Sequence, residues 1–211
     1  NMIHLHTRSC YSLLESPFRV QEIVQAAKTH QMSHAALTDK NTMSGAMAFY
    51  HACLKEGIEP IIGLEIETEV LNEKTGLILL AKNEAGLKNL FALSTRACTS
   101  ENPQLDFEFV KKHASDCVVL TAGDDAWPES FCAENRLDAL VTMLEALDDA
   151  FEDFSVSIAV NASITARKAN QSLKAAASSL SIDTVAISRI ESDHPNDVQK
   201  LQLMRAIDLQ T

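Results

Sequence analysis

The chain has few aromatic residues and no long apolar run. Aromatic residues make up 5% of the 211 residues, and only one of them is a tryptophan. Proteins that stack nucleic-acid bases use several aromatic side chains close together, and this composition does not supply them. No apolar run reaches membrane-spanning length and no signal-peptide pattern is present, so we expect a cytoplasmic protein without a membrane segment.

Cysteines are few and scattered. There are five of them, an odd number, and no two stand at Cys-x-x-Cys spacing. This spacing indicates neither a disulfide framework nor a zinc knuckle. We expect reduced and mostly buried thiols.

Positive charge is also in short supply. The chain has 18 Lys and Arg against 29 Asp and Glu, a formal net charge of −11. This balance argues against a domain that grips the phosphate backbone of DNA over a broad face. Ten of the carboxylates fall in residues 124–153, where Arg136 is the single basic residue. This stretch is either a solvated helix face or a docking surface for a basic partner, and in both cases we expect it to face away from DNA.

Strand-like and helix-like segments alternate along the chain. Strands are predicted at 2–6, 35–38, 60–70, 76–81, 117–120, 154–160 and 184–188. Helices are predicted from about 17 and at 44–56, 84–98, 107–113, 136–147, 162–180 and 195–209. Such alternation favours an α/β fold with a mainly parallel sheet, and seven such units could close into a barrel.

The first strand leads into a row of basic side chains. His4 and His6 are two residues apart, so on a strand they point to the same face, and Arg8 continues the row. Two imidazoles make a good start on a zinc or manganese site. A guanidinium is never a metal ligand, because it stays protonated in proteins. The row therefore has the pattern of a metal motif in which one ligand is replaced by a fixed positive charge.

Four segments carry a resemblance to a known family. They are HLHTRSCYSLLES at 4–16, ALTDKNTMSGAMAFY at 36–50, GIEPIIGLE at 57–65 and LLAKNEAGLKNL at 79–90. Together they resemble the PHP (polymerase and histidinol phosphatase) domain, in the form found at the N-terminus of bacterial DNA polymerase III alpha subunits. The resemblance implies a distorted (β/α)7 barrel of the PHP type, with function at the C-terminal ends of the strands.

The resemblance also implies that residues 1–211 form a single PHP domain. Asn1 precedes a natural-looking start at Met2, and we interpret it as a tag remnant. The predicted last helix has no closing cap before Thr211, so we expect a fragment of a longer polymerase chain that continues after this residue.

Intact PHP domains hold zinc or manganese in a cluster of His, Glu and Asp ligands. By motif, this sequence keeps two of those ligand positions, His6 and Glu65, whereas Arg8 and Lys40 stand where the family has histidines. The other ligand positions correspond to Arg189 and Glu191 near the C-terminus, and approximately to Gly123, Ser157 and Asn161 in the middle of the chain. A two-metal site needs several anionic or imidazole ligands, so we expect no catalytic residue and no metal or other cofactor in this domain.

We interpret the substituted site as an ion-pair network that takes over the electrostatic role of the metals. Its members are Arg8, Asp39, Lys40, Glu65, Arg189 and Glu191. Two opposite charges about 4 Å apart gain about 4 kcal/mol at an effective dielectric constant near 20, before desolvation is subtracted. The alternative is that Arg8 and Lys40 simply point into solvent.

The resemblance implies a role in DNA replication. The first hypothesis is a non-catalytic domain of a replicative polymerase alpha subunit, which stabilises the polymerase or docks partners. Its partners would be the rest of the polymerase chain, a proofreading or other replisome subunit, and DNA only through the parent polymerase. That parent resembles a DNA-directed DNA polymerase, a nucleotidyltransferase whose catalytic carboxylates belong to a later domain. The alternatives are a metal-dependent phosphoesterase or 3′–5′ proofreading exonuclease, and a stand-alone histidinol-phosphatase-like enzyme.

Overall fold

The computed structural model describes residues 5–9, 11, 20–121, 127–159, 164–187 and 189–190. The strands are β1 (His6–Thr7), β2 (His34–Lys40), β3 (Glu59–Val70), β4 (Glu73–Ala81), β5 (Cys117–Thr121), β6 (Phe154–Ala159), β7 (Asp183–Ile187) and β8 (Arg189–Ile190). The helices are α1 (Val20–Thr29), α2 (Ala46–Glu56), α3 (Glu84–Thr99), α4 (Phe107–Lys112), α5 (Trp127–Ala133), α6 (Leu137–Ala150) and α7 (Ile164–Ser179).

The strands form a curled sheet. Six of them are hydrogen-bonded in the order β2-β3-β4-β5-β6-β7, and β1 pairs with β8. The β3–β4 and β4–β5 pairs are antiparallel, whereas the other described pairs are parallel. Strand β1 also lies against β2, where the backbone N–H of Thr7 donates to Oγ1 of Thr38 at 3.1 Å. The predicted α/β class and barrel-like, mainly parallel sheet are confirmed.

A tight turn explains why β4 runs antiparallel to β3. Only Leu71 and Asn72 separate β3 from β4, and both have positive φ, 52° and 63°. Two successive left-handed residues in a two-residue hairpin are typical of a type I′ turn, whose twist matches that of the paired strands. Parallel neighbours need a crossover of a dozen or more residues, so this connection dictates antiparallel pairing.

The sheet is buried on both faces. The outer face, covered by helices, carries Leu64, Ile66, Leu77 and Leu79 of β3 and β4, all with no exposed surface. The inner face of the curled sheet carries a smaller apolar cluster of Ile78, Leu80, Leu120 and Ile187. Successive residues of a strand point to opposite faces, so Glu65, the register partner of Ile78, lies on the inner face.

Most of the predicted elements are found, with shifts of a few residues at their ends. The first strand is predicted at 2–6, of which residues 2–4 lie outside the described residues; the described strand is His6–Thr7, and a loop follows at Arg8 and Ser9. Helix α5 was not predicted as a separate element. Its Trp127 donates from Nε1 to the carbonyl of Gly76 at 3.1 Å, a tertiary contact that sequence periodicity does not report. The predicted last helix at 195–209 lies outside the described residues.

Candidate functional site

Glu65, midway along β3 and level with the end of β2, is the centre of a buried polar cluster. Its Oε2 lies 2.6 Å from Nε2 of His6 and accepts a 3.1 Å hydrogen bond from Nε of Arg8. Its Oε1 accepts from Nη2 of Arg8 at 2.5 Å. The exposed fractions are 0% for His6, 2% for Arg8 and 0% for Glu65. The planar fork of the guanidinium thus grips both oxygens of one carboxylate, the geometry in which arginine binds carboxylates most strongly.

The pKa of Glu65 records the balance of forces at this cluster. Burial on its own raises the pKa of the carboxyl, because it penalises the charged form. The hydrogen bonds and electrostatic attraction from His6 and Arg8 outweigh burial and lower the pKa from its ordinary value of 4.5 to about 2. Glu65 is therefore an anion at neutral pH, and it stays one in a dry environment because these two neighbours hold it.

The second nitrogen of His6 is left over. Its Nδ1 is buried, and within the described part of the chain it has no hydrogen-bond partner. Buried polar atoms of side chains usually have a partner, so this atom is an exception. This ring nitrogen takes no part in the contacts among His6, Arg8 and Glu65.

A second buried carboxylate, Asp39, accepts hydrogen bonds from backbone and hydroxyl groups. Asp39 accepts from the backbone N–H of Ser9 at 2.5 Å and from the hydroxyl of Ser9 at 2.7 Å. Gly45, just before α2, allows this close packing, because a Cβ there would lie 3.2 Å from Oδ2 of Asp39 and 2.9 Å from the ring of Tyr11. The Ser9–Asp39 pair thus ties the loop after β1 to the end of β2.

Lys40 forms an ion pair that the sequence does not predict. The predicted network places Lys40 near Glu65, which is its register partner across β2 and β3. Its described ion pair is instead with Glu67, which is two residues further along β3 and on the same face, at 2.9 Å, and Lys74 contacts the other oxygen of Glu67 at 2.9 Å. The long lysine side chain reaches past its register partner, where Arg8 already occupies the carboxylate.

Strands β5 and β6, which are separated from β3 by β4, carry buried hydroxyl groups rather than charged side chains at Thr121 and Ser157. The hydroxyls of Thr121 and Ser157 lie 2.8 Å apart, and the backbone N–H of Ser157 donates to Oγ1 of Thr121 at 2.9 Å. Ser157 was matched to a ligand position of the family, and here it is buried and engaged with β5. These hydroxyls join β5 to β6 and are weak metal ligands at best.

The remaining predicted site residues are placed only in part. The backbone of Arg189 pairs with β1 opposite His6, which brings its strand to the same edge of the fold. Glu191, Gly123 and Asn161 lie outside the described residues. Sequence reasoning missed Ser9 and Glu67. The period of two along β3 could have found Glu67, whereas no pattern singles out Ser9.

The described residues do not fit a metal cluster. His6 and Glu65 are bound to each other, and Arg8 occupies both carboxylate oxygens of Glu65. Across the described ranges, no group of three or more His, Cys, Asp or Glu side chains is arranged to hold a metal ion. One unpaired imidazole nitrogen is far short of the three or four donors that a zinc site needs.

Comparison with known proteins places the chain in a family. The sequence model of the PHP domain family matches residues 4–163, well over half of the chain. The chain belongs to the PHP domain family.

Curated proteins similar to this chain include DNA polymerase III alpha subunits of several bacteria. That of Aquifex aeolicus is 26% identical over 99% of this chain and 20% of its own length. That of Thermus aquaticus is 28% identical over 99% of this chain and 18% of its own length, and that of Borreliella burgdorferi is 37% identical over 57% and 12%. The chain therefore spans a fifth or less of the length of these relatives.

Solved structures share the fold. A protein of Bifidobacterium adolescentis proposed to be a metal-dependent phosphoesterase matches with a TM-score of 0.62 and 10% identity, over 88% of this chain and 86% of its own. An amidohydrolase from Chromobacterium violaceum matches with a TM-score of 0.60 and 12% identity, over 92% and 88%. These likenesses confirm the barrel-type architecture, and at this identity they carry no information on function. Among the described helices, none combines the length and apolar character needed to cross a membrane.

Proposed function

We propose that the chain is a non-catalytic PHP domain of a bacterial DNA polymerase III alpha subunit, placed at its N-terminus and acting in DNA replication in the cytoplasm. Similarity to alpha subunits over 99% of the chain supports this context. In this proposal residues 1–211 form one domain of the polymerase chain, and nucleotidyl transfer is carried out elsewhere in that chain.

The observation that carries the proposal is that both carboxylate oxygens of Glu65 already have hydrogen-bond partners. Glu65 is one of two ligand positions kept from the family pattern, and both of its oxygens are taken by His6 and Arg8. A metal ion would have to displace a buried bidentate guanidinium, and the described residues offer too few other donors to compensate. A phosphoesterase or exonuclease of the metal-dependent kind needs that ion to activate water and to neutralise the phosphate.

In place of metals, charged side chains hold the strand ends together. Arg8 joins the loop after β1 to β3, and Lys40 joins β2 to β3 through Glu67. Arg189 and Glu191 belong to the same proposed network by their sequence positions. The role of the domain is then structural: it stabilises the polymerase and offers surfaces to the rest of its chain and to a proofreading or other replisome subunit. DNA is contacted through the parent polymerase, since this chain carries a net charge of −11.

Activity assays on the purified chain test the proposal. With added manganese or zinc we expect no turnover of a nitrophenyl phosphate ester or of single-stranded DNA above that of buffer, and elemental analysis should find no bound metal at comparable amounts to protein. A metal-dependent phosphoesterase serves as the positive control.

A contradictory result has a defined form. Metal-dependent turnover that co-elutes with the chain, disappears in a Glu65→Gln variant that circular dichroism shows to be folded, and persists in Glu67→Gln would establish the phosphoesterase or exonuclease alternative. Glu67→Gln is the matched control, because it makes the same chemical change two residues further along the same face of β3.

A further inference from the structure

The turn between β3 and β4 begins with an exposed leucine. Leu71 has φ of 52° and is 57% exposed. The first position of a type I′ turn favours Asn, Asp or Gly, because the left-handed region is costly for a residue with a larger side chain. Leucine here combines an unfavourable backbone region with a largely exposed apolar side chain, which is therefore accessible to a partner.

Leu71 forms one wall of an apolar groove. The groove has a volume of about 240 Å³ and lies between the hairpin tip and helices α5 and α6, with Phe131, Ala139, Thr142 and Met143 along it. Its charged wall is Arg136, whose guanidinium stacks on the ring of Phe131 at 4.4 Å and binds Glu73 and Glu134. Two carboxylates on one guanidinium leave this wall with an excess of negative charge.

The surface next to the groove is acidic. Asp138, Thr142 and Glu145 lie on one stripe of α6, at spacings of four and three residues, and all are exposed. Helix α6 contains no lysine or arginine. An apolar groove flanked by carboxylates fits a partner segment that brings an apolar side chain together with lysines or arginines.

We propose that this groove, defined by Leu71, Phe131, Ala139, Thr142 and Met143, docks a basic segment of a protein partner that inserts one large apolar side chain. The proposal deepens the docking role described above and rests on it. It decides between the two interpretations of residues 124–153 in favour of a partner surface. Apolar contact at Leu71 supplies the anchor, and the α6 carboxylates select for positive charge and speed the encounter.

A labelled lysine-rich peptide with one central leucine is the probe. We expect fluorescence anisotropy to show binding to the purified chain that weakens severalfold when salt is raised from about 0.05 M to about 0.3 M, because the charges are exposed. A peptide with serine in place of the leucine, and one with glutamate in place of the lysines, should each bind at least about fivefold more weakly. Amide signals of Leu71, Ala139 and Thr142 should shift in NMR spectra on binding.

Two neighbouring substitutions separate docking from folding. Leu71→Asn removes the anchor and suits the turn, so the melting temperature should stay within about 2 °C of wild type while peptide affinity falls at least about fivefold. Asn72→Gly relaxes the same turn and keeps the leucine, so it should raise the melting temperature slightly and leave peptide affinity unchanged. Asp138→Asn with Glu145→Gln should weaken binding and flatten its salt dependence.

Three outcomes would overturn the proposal. One is equal peptide binding by wild type and Leu71→Asn, and another is equal binding of the leucine and serine peptides. The third is concentration-dependent self-association that Leu71→Asn abolishes, which would assign the groove to a second copy of the chain. None of these results bears on catalysis. Turnover in the metal assays would contradict the non-catalytic role but would not change the expected peptide binding, so each proposal can be refuted without the other.

Discussion

Two carboxylates of one strand show how differently the same chemistry behaves at different depths. Glu65 and Glu67 are two residues apart on the inner face of β3, and each contacts two basic side chains. Glu65 and its partner Arg8 are almost fully buried, at 0% and 2% exposure. Glu67 is 13% exposed, and its partner Lys74 is 66% exposed.

The difference decides whether pairing is required or merely favourable. Water cannot replace Arg8 at Glu65, so removing either partner leaves a buried charge without a counter-charge. At Glu67, burial again raises the pKa, and hydrogen bonds from Lys40 and Lys74 lower it below its ordinary value. Here solvent reaches the lysine ends and can take over from a missing partner. The Glu65–Arg8 pair, called the inner pair below, therefore behaves as part of the core. The contacts of Glu67 with Lys40 and Lys74, called the outer pair, behave as part of the surface.

The largest effect is expected from Glu65→Gln. Arg8 would keep its charge with no carboxylate to accept it, and such losses typically cost about 3–5 kcal/mol. Arg8→Ala should be similarly destabilising, because Glu65 would then be left buried with His6 alone. Urea denaturation of each variant against wild type measures the change, and a loss below about 1 kcal/mol in both would show that the pair is not part of the core.

The second-largest expected effect is the contribution of Glu65 to the pH dependence of the free energy of unfolding. Its folded-state pKa of about 2 lies below the ordinary value of 4.5, so the stabilisation is fully present above pH 4.5 and is lost as the pH falls towards 2. A depression of this size corresponds to about 3 kcal/mol. Comparing wild type with Glu65→Gln by denaturation between these pH values cancels most contributions of the other carboxylates. Identical pH profiles for the two proteins would contradict the depressed pKa.

A smaller effect is expected from Glu67→Gln. Because the carboxylate and both lysines reach solvent, the loss should stay below about 1 kcal/mol and shrink further in high salt. The same urea experiment at low and high salt provides the measurement. A loss as large as that of Glu65→Gln would remove the distinction between the inner and outer pairs.

No effect is expected from a chelator. Since the described donors of the cluster bind each other, EDTA should leave the melting temperature unchanged, which differential scanning fluorimetry can verify. Anything that binds the native state alone stabilises it, so a hidden metal would reveal itself by a fall in melting temperature that zinc or manganese reverses.

The sequence predicts the buried pair better than the outer one. Strand periodicity puts His6 and Arg8 in one row, and the family motifs single out Glu65. In the structure Glu65 lies midway along β3, level with Lys40 at the end of β2, and the loop after β1 brings Arg8 to it. Lys40 has two carboxylates of β3 within reach. It pairs with Glu67 because the carboxylate of Glu65 is already bound by Arg8, and no sequence pattern reports that contact. The Trp127–Gly76 hydrogen bond and the Thr121–Ser157 pair are tertiary contacts that no local pattern encodes.

The bidentate grip of Arg8 on Glu65 also restricts the mutational routes open to this chain. A route towards a metal-binding PHP site has to replace Arg8 by histidine, and that single step removes the guanidinium from a buried carboxylate before any metal can be held. A step of several kcal/mol is a large share of the 5–15 kcal/mol that typically separates a folded domain from its unfolded state. Building a metal site in this chain therefore requires coordinated changes at several positions, because a single substitution at Arg8 destabilises the fold before any metal can bind.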